Sequence, residues 1–145
     1  AEEAASYYCG TFRNSRITRT ERYTEAGHEV HHKPAGSVMV VEFEIDGHKF
    51  NALNGGPEFK FNEAVSFQVM CENQQEIDYY WDKLGAGGDP NAQVCGWLKD
   101  KFGLSWQVVP RNMPDLSTPR GKKMMEAFLK MKKIDIAALE AAAKA

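Results

Sequence analysis

Residues 28–32 read HEVHH and match the H-E-x-x-H pattern, in which two histidines bind zinc and a glutamate activates water. The pattern works only on a helix, because positions i and i+4 then share a face and both imidazoles can reach one ion. Gly27 precedes the stretch and Pro34 follows it, so at most about one helical turn fits between them. We therefore predict a solvated loop, with exposed His28, His31 and His32 and no ordered zinc.

Few other side chains in the sequence are suited to metal binding or thiol chemistry. His48 is the remaining histidine, and it lies in a predicted strand hairpin, so the HEVHH stretch lacks a third zinc ligand. Cys9, Cys71 and Cys95 stand at unrelated spacings, without the C-x-x-C pair that chelates zinc or exchanges disulfides. We expect reduced thiols that pack inertly, as in cytoplasmic proteins.

The bulk properties exclude several partners. A chain of 145 residues fits one domain with a sizeable core. Its net charge of −2 and pI near 6.1 do not favour nucleic acid or an anionic membrane. No stretch approaches the roughly 20 apolar residues of a membrane span, and the first residues are acidic and not signal-like. We expect a cytoplasmic protein without nucleic-acid or membrane partners.

The first half of the chain predicts one helix and three strands. Apolar residues at helical spacing predict a helix over residues 1–12. Alternation predicts a strand over 16–23. The dipeptide Asp46-Gly47, a type I′ turn signal, joins two further strands over 37–45 and 48–53.

The second half predicts a similar set of elements in a different order. A strand over 64–71 precedes a helix over 74–84, which Asn73 can cap. Strands over 93–98 and 104–109 then form a second hairpin. The order indicates an internal duplication. After a connector over 114–119, two amphipathic helical pieces over 121–144 are expected to dock on the domain or on a partner subunit.

Three longer stretches occur in order between residues 53 and 140 and belong to a resemblance that spans nearly the whole chain. They are LNGGPEFKFNEAVSFQV at 53–69, CGWLKDKFGLSWQVVP at 95–110 and MKKIDIAALE at 131–140. Together they resemble the PhnB-like branch of the glyoxalase/bleomycin-resistance (vicinal oxygen chelate) superfamily. Members of that branch often carry the label 3-demethylubiquinone 3-methyltransferase domain.

The resemblance implies an α+β fold of paired βαβββ modules, the glyoxalase/bleomycin resistance/dioxygenase-like fold, with each sheet curled around a cavity. Module one would cover residues 1–56, module two 57–110, and a C-terminal helical tail 111–145. It also implies a homodimer. Such proteins open with a strand of the type F-x-W-F before the AEEAASYY helix. This sequence starts at the helix, so either the strand is missing from it or the first module is incomplete, and a missing strand would leave an open sheet edge.

The resemblance also indicates where a metal would bind. Metal-dependent relatives take His, Gln or Glu ligands from the first and last strands of each module and leave positions open for substrate oxygens. The matching positions here carry Ala52 or Asn54, Ser66 and Gln107, and the first-strand position is absent. None of these is a strong ligand for a divalent metal. We therefore expect no catalytic metal and no other cofactor, and a divalent metal remains the alternative.

The same positions suit neutral hydrogen bonds to a small organic ligand. Strand alternation places Ser66 with Gln68 on one face, and Ser105 with Gln107 on one face. No catalytic residue is assigned. The candidate ligand-binding residues are Asn54, Ser66, Gln68, Trp106 and Gln107.

Several side chains keep two interpretations. Gln68 and Gln107 either bind a ligand or pair across the sheet. Glu42 and Glu44 share a strand face and are either an acid/base pair or a solvated outer side. Aromatic residues of the second hairpin either stack on a ligand or pack in the core; they are Trp97, Phe102 and Trp106.

The sequence leaves three functions open, and a methyltransferase is not among the favoured ones. A binding protein for a small organic molecule is the leading hypothesis, and a metal-dependent enzyme of the same fold is the alternative. Methyltransferase activity is disfavoured, because the glycine-rich stretch Leu84 to Gly88 follows a predicted helix and precedes a strand, the reverse of a cofactor-binding turn. A protein-interaction module that uses the tail or the open edge is the third.

Overall fold

Two compact units make up the chain, and each contains one three-stranded sheet. The computed structural model describes residues 1–145. The first unit is Ala1–Phe59 and the second is Lys60–Ala145. Helices and strands occur in both units, so the predicted α+β class is confirmed. No helix in the chain combines the length and the apolar character that a membrane span requires.

The first unit is a helix followed by an antiparallel sheet in the order β1-β2-β3. Its strands pair β1 with β2 and β2 with β3, which leaves β3 as an edge strand. The predicted hairpin is confirmed, because Asp46 and Gly47 adopt φ of 48° and 80° between β2 and β3. The elements are α1 (Glu2–Thr11), β1 (Ser15–Arg22), α2 (His28–His31), β2 (Val38–Ile45) and β3 (His48–Leu53).

Helix α1 covers one face of this first sheet. Ala5 and Tyr8 are buried on the inner side of the helix. The Tyr8 ring stacks on Phe43 of β2 with 6.3 Å between ring centroids, and Phe43 stacks on Phe50 of β3 at 5.4 Å. This aromatic column supplies apolar burial and ring contacts that hold the helix to the sheet.

The second unit contains a parallel strand pair. Strand β4 lies parallel to β6, and β5 pairs antiparallel with the other side of β6, giving the order β4-β6-β5. A parallel pair cannot be joined by a tight turn, and the chain passes through α3 and then β5 between β4 and β6. The elements are β4 (Phe67–Cys71), α3 (Gln74–Gly85), β5 (Trp97–Lys99) and β6 (Ser105–Pro110).

Two strands of the second unit are shorter than predicted. Residues 64–66 do not continue β4, and residues 93–96 do not belong to β5. The chain turns sharply before β5, where Cys95 and Gly96 adopt left-handed φ of 41° and 82°. A short 3₁₀ turn, Pro90–Ala92, also occupies this region. Alternating residues suggested an extended chain, and the left-handed pair prevents it.

The C-terminal helices α4 (Pro119–Phe128) and α5 (Ile136–Lys144) pack within the second unit. The Cys95 and Gly96 N–H groups donate to the carbonyls of Met131 and Lys132, at 2.7 and 2.8 Å. Ile134, which lies in the connector between α4 and α5, is fully buried. The tail is thus held by backbone hydrogen bonds as well as by apolar burial.

One side chain of α3 anchors the connector between α4 and α5. The Gln74 amide nitrogen donates to the Ile134 carbonyl at 2.9 Å, and its oxygen accepts the Ile136 N–H at 2.8 Å. The same nitrogen donates to Asp78 at 3.0 Å, and Asp78 also pairs with Lys133 at 2.9 Å. The Gln74 hydrogen bond, followed by the bond from Lys133, lowers the pKa of Asp78.

Replacing Gln74 with alanine should loosen the tail. The substitution leaves the Ile134 carbonyl and the Ile136 N–H without their partner, which should cost about 1–2 kcal/mol of unfolding free energy. Urea denaturation measures the loss, and hydrogen exchange over residues 131–144 should accelerate. The matched control is Gln75→Ala at the neighbouring exposed position, with an expected change within about 0.5 kcal/mol. Equal effects of the two substitutions would contradict this role for Gln74.

Candidate functional site

The HEVHH stretch forms one helical turn, α2, so the prediction of a loop was wrong in this respect. The N–H groups of Val30 and His31 donate to the Gly27 carbonyl at 2.8 and 3.0 Å. Gly27 and His32 border the turn with left-handed φ of 77° and 53°. The turn ends there because His32 leaves the right-handed region and Pro34 stands two residues later.

The geometry of this turn does not build a zinc peptidase site. The Lys33 N–H donates to His31 Nδ1 at 2.9 Å, so Nε2 carries the proton and donates to the Ala26 carbonyl at 3.1 Å. His28 and His32 are exposed, with 6.2 Å between ring centroids. Nowhere does the chain bring together three or more His, Cys, Asp or Glu side chains able to hold a metal ion. A catalytic zinc needs three such ligands.

Asn54, a predicted ligand-binding residue, has a structural role in the first unit. Its side-chain nitrogen donates to Glu2 at 2.9 Å and to the Val38 carbonyl at 3.0 Å, and its oxygen accepts from the Ala1 nitrogen at 2.7 Å. The Asn54 hydrogen bond is the largest influence that lowers the pKa of Glu2 to about 2. Since both ends of the amide are engaged, Asn54 is left out of the candidate site.

Three other predicted residues come together on one face of the second sheet. Gln68 of β4 and Gln107 of β6 lie side by side in register. Gln107 Nε2 donates to Ser66 Oγ at 2.9 Å, and Gln68 Nε2 donates to Gln107 Oε1 at 3.4 Å. The two glutamines therefore pair with each other, as one interpretation held, and form a continuous polar row with Ser66.

Apolar and aromatic side chains border this polar row. Met70 and Val109 are the next pair on the same face of β4 and β6, and Met70 is 40% exposed. Trp97 of β5 lies directly opposite Gln107 and is half-buried. Helix α3 packs on the other face of the sheet. We call the face of the sheet that carries the polar row the open face.

Lys99 and Glu63, which the sequence interpretation missed, form an ion pair at the end of the open face. Lys99 of β5 is directly opposite Ser105 of β6, and its ammonium forms an ion pair with Glu63. The hydrogen bond from Lys99 is the main cause that lowers the pKa of Glu63. Strand alternation was the available signal for Lys99, because it is two residues from Trp97.

Ser105 is a buried hydroxyl without a partner. The residue is 1% exposed, and its Oγ atom makes no hydrogen bond. Burying a hydroxyl in this way costs about 1–3 kcal/mol, and such groups are rare in folded proteins. The unpaired oxygen lies on the strand face that Lys99 and Gln107 share.

Trp106, the last predicted ligand-binding residue, lies on the opposite face of β6. It is 6% exposed and contacts Phe67 with 5.6 Å between ring centroids. Its indole nitrogen donates to Asp100 Oδ2 at 2.9 Å. Strand alternation explains this position, because Trp106 follows Ser105 and precedes Gln107. We therefore place Trp106 in the core and leave it out of the candidate site.

The thiols offer little nucleophilic chemistry. Cys9, Cys71 and Cys95 are all free. Cys71 is 1% exposed, and burial raises its pKa to about 12. A thiol with such a pKa is almost entirely protonated at neutral pH, so Cys71 is not a nucleophile.

Charged residues cover the outer face of the first sheet. Glu44 forms an ion pair with Arg16 at 3.5 Å, and Glu42 lies opposite Arg19 on the neighbouring strand. Cross-strand pairs of opposite charge are a usual feature of a solvated sheet face. This arrangement favours the interpretation of Glu42 and Glu44 as a solvated outer side.

Comparison with known proteins decides the family. The model of the 3-demethylubiquinone-9 3-methyltransferase family matches residues 1–109. The chain belongs to this family. The match covers β1 to β5 and all but the last residue of β6, so the two C-terminal helices lie beyond the family region. A comparison with curated protein sequences gave no significant match.

Solved structures agree with the family assignment. The chain is similar to a putative 3-demethylubiquinone-9 3-methyltransferase, PhnB protein, from Bacillus cereus, with 32% identity and a TM-score of 0.61. That match covers 75% of this chain and 89% of the other. A protein from Pseudomonas aeruginosa, PA1353, shares the fold at 16% identity and a TM-score of 0.55, over 74% of this chain and 86% of the other. The PhnB-like resemblance of the sequence is thus confirmed.

The glycine-rich stretch of this family member is a helix end. Gly85 is the last residue of α3, and Gly87 adopts a left-handed φ of 76°. A Cβ atom on Gly88 would stand 2.0 Å from the Lys99 carbonyl, so glycine is required for close packing against β5. A nucleotide-type cofactor site needs such glycines between a strand and a following helix. Here they follow a helix.

Asp100 should be essential to the turn between β5 and β6. Its Oδ1 accepts the N–H groups of Phe102 and Leu104 at 2.8 and 3.1 Å, and its Oδ2 accepts from the Trp106 indole. Because Asp100 is 2% exposed, Asp100→Ala leaves buried donors unpaired and should cost about 2–4 kcal/mol in urea denaturation. Asp82→Ala on the exposed side of α3 is the control, with a change within about 0.5 kcal/mol. A loss below about 1 kcal/mol for Asp100→Ala would contradict this role.

Proposed function

We propose that the second unit binds a small organic molecule on its open face, without a resident metal. The observation that carries this proposal is the row of hydrogen bonds from Ser66 through Gln107 to Gln68, beside the exposed side chain of Met70. Binding sites for small molecules typically combine a few placed polar groups with apolar surroundings. The open face has this composition.

The polar row still has hydrogen-bonding capacity. Gln68 is exposed, and its Oε1 atom makes no hydrogen bond within the chain. The Ser66 hydroxyl accepts from Gln107 and can still donate its own proton. A ligand that carries both a donor and an acceptor can therefore extend the row. Met70, Val109 and Trp97 provide the apolar contact that such a ligand needs.

The residues at the superfamily's metal positions do not fit a divalent ion. Ser66 and Gln107 are neutral and bond to each other, and Asn54 is engaged at both ends of its amide. The Lys99 ammonium lies on the same open face, and a positive charge disfavours a cation. Divalent metals prefer imidazole, carboxylate or thiolate ligands. We derive no metal-dependent step from this arrangement.

The family name suggests an alternative that we do not favour. The similar Bacillus cereus protein is described as a putative methyltransferase. No strand-to-helix glycine turn supports a conventional S-adenosylmethionine site in this chain, since its glycine-rich stretch ends α3. A metal-dependent enzyme of the superfamily is the remaining alternative, and it conflicts with the neutral donor set described above.

We also propose that the protein is a cytoplasmic homodimer. The resemblance implies a homodimer, and exposed apolar side chains in the segment before β4 are consistent with a subunit contact. Phe59, Phe61 and Val65 there are 94%, 62% and 63% exposed. The three free thiols are typical of a reducing compartment, which supports a cytoplasmic location.

A thermal-shift screen against small metabolites tests the binding proposal. A ligand that binds only the folded protein must raise the melting temperature. Gln107→Leu removes the centre of the polar row at similar volume, and affinity for any stabilising compound should fall about tenfold. Gln75→Leu on the exposed side of α3 is the matched control, with unchanged affinity. Absence of stabilisation by a broad library, or equal stabilisation of wild type and Gln107→Leu, would contradict the proposal.

Metal analysis tests the second part of the proposal. After dialysis, purified protein should contain far less than one divalent ion per chain, and a chelator should leave the melting temperature unchanged. Both follow from the absence of three strong ligands at one place. A stoichiometric ion that survives dialysis would instead favour the metal-dependent enzyme.

A further inference from the structure

We propose that the ligand of the open face is an organic carboxylate, and that Glu63 competes with this ligand for Lys99. The inference rests on the proposed binding function of the open face. It adds a chemical class for the ligand and an internal contact that weakens ligand binding. Three observations carry it: the position of Lys99, the exposure of the segment that holds Glu63, and the unpaired hydroxyl of Ser105.

Lys99 is placed to bind an anion on the open face. It is directly opposite Ser105, and Trp97 on the same strand is directly opposite Gln107. Because directly opposed residues share a sheet face, the ammonium belongs to the same face as the polar row. The Lys99 side chain is 28% exposed, so most of its surface is covered while some of it remains in contact with solvent.

Glu63, which forms an ion pair with this ammonium, lies in a weakly held segment. Its own side chain is 62% exposed, and residues 61–65 carry no helix or strand. The neighbouring Phe61 and Val65 side chains are 62% and 63% exposed, so apolar burial does not fix this segment. An exposed ion pair of this kind contributes little to stability. A ligand carboxylate can therefore replace Glu63 without disturbing the sheet.

The unpaired hydroxyl of Ser105 distinguishes this place from an ordinary surface ion pair, because it offers a ligand a second contact. Its hydroxyl is buried and makes no hydrogen bond while Glu63 holds Lys99. A carboxylate has two oxygens, and the Lys99 ammonium needs only one of them. The second oxygen can accept the Ser105 proton, which would give this hydroxyl the partner that it lacks.

Trp97 narrows the ligand class further. The half-buried indole lies two residues from Lys99 on the same strand face. An aromatic or other flat apolar group attached to the carboxylate can contact the indole while its charge lies at Lys99. Gln107 and Gln68 then remain available for a polar substituent.

Phenylacetate and phenylacetamide are probes that differ in charge at one group. Their binding is followed by NMR shifts of the tryptophan indole signals in wild type and in the variants Lys99→Gln, Glu63→Gln and Ser105→Ala. Control variants change the same residue types elsewhere: Lys122→Gln on α4 and Glu58→Gln ahead of the segment. Gln107→Leu reports on the proposed binding face itself.

We expect wild type to bind phenylacetate more tightly than phenylacetamide. Glu63→Gln should raise the affinity for phenylacetate roughly two- to fivefold, because the internal competitor is lost. Lys99→Gln should remove the preference for the carboxylate, and Ser105→Ala should reduce it. Phenylacetate should also shift the backbone amide NMR signals of residues 61–65 in wild type but not in Glu63→Gln, since only the wild-type carboxylate is displaced from Lys99.

The outcomes separate this inference from the function on which it rests. In one outcome, both probes bind with equal affinity, both bind Gln107→Leu more weakly, and neither affinity changes in Lys99→Gln or Glu63→Gln. That outcome would support the binding face and show that the carboxylate inference is wrong. If neither probe binds any variant, the carboxylate inference is also wrong, and the metabolite screen decides the binding function independently. Affinity changes of equal size in the control variants would likewise overturn the role of Lys99 and Glu63.

Discussion

The parallel pairing of β4 with β6 is the constraint on which the second unit depends. Parallel neighbours need a long connection, and here it runs through α3, which covers one face of the sheet, and then through β5. The same pairing sets Gln68 beside Gln107 in register. A single topological requirement thus produces both the covered apolar face and the polar row on the other face. The first unit, whose strands are all antiparallel, has a charged outer face instead.

Much of the fold could be predicted from local patterns in the sequence. The predictions of the Asp46-Gly47 turn and of the Asn73 cap of α3 were correct, because each of these features depends on a few neighbouring residues. The sharp turn before β5 could not be predicted in this way. Cys95 is held in a left-handed conformation by bonds from its own N–H and from Gly96 to residues 131 and 132, far along the chain. Local propensity contains no information about such a partner.

The candidate site could be predicted only in part, for similar reasons. Strand alternation put Ser66 with Gln68 and Ser105 with Gln107, but only the folded chain shows that the pairing of β4 with β6 brings these residues together. Trp106 was predicted as a ligand contact from its aromatic character, whereas in the structure it lies buried on the opposite face of β6. Lys99 was missed because a lysine in a short strand is ordinarily a solvated edge residue. Its importance depends on Ser105 and Glu63, whose proximity only the folded chain shows.

The turn at Cys95 and Gly96 connects the tail to the open face. A non-glycine residue with positive φ is strained, and surrounding contacts must maintain it. Here those contacts are the carbonyls of Met131 and Lys132 in the C-terminal tail, which lies beyond the family region. Trp97 begins β5 immediately after this turn. The segment between the two C-terminal helices therefore supports the indole from a distance. Under the proposed binding function, a sequence change in this segment would alter ligand preference without touching the ligand.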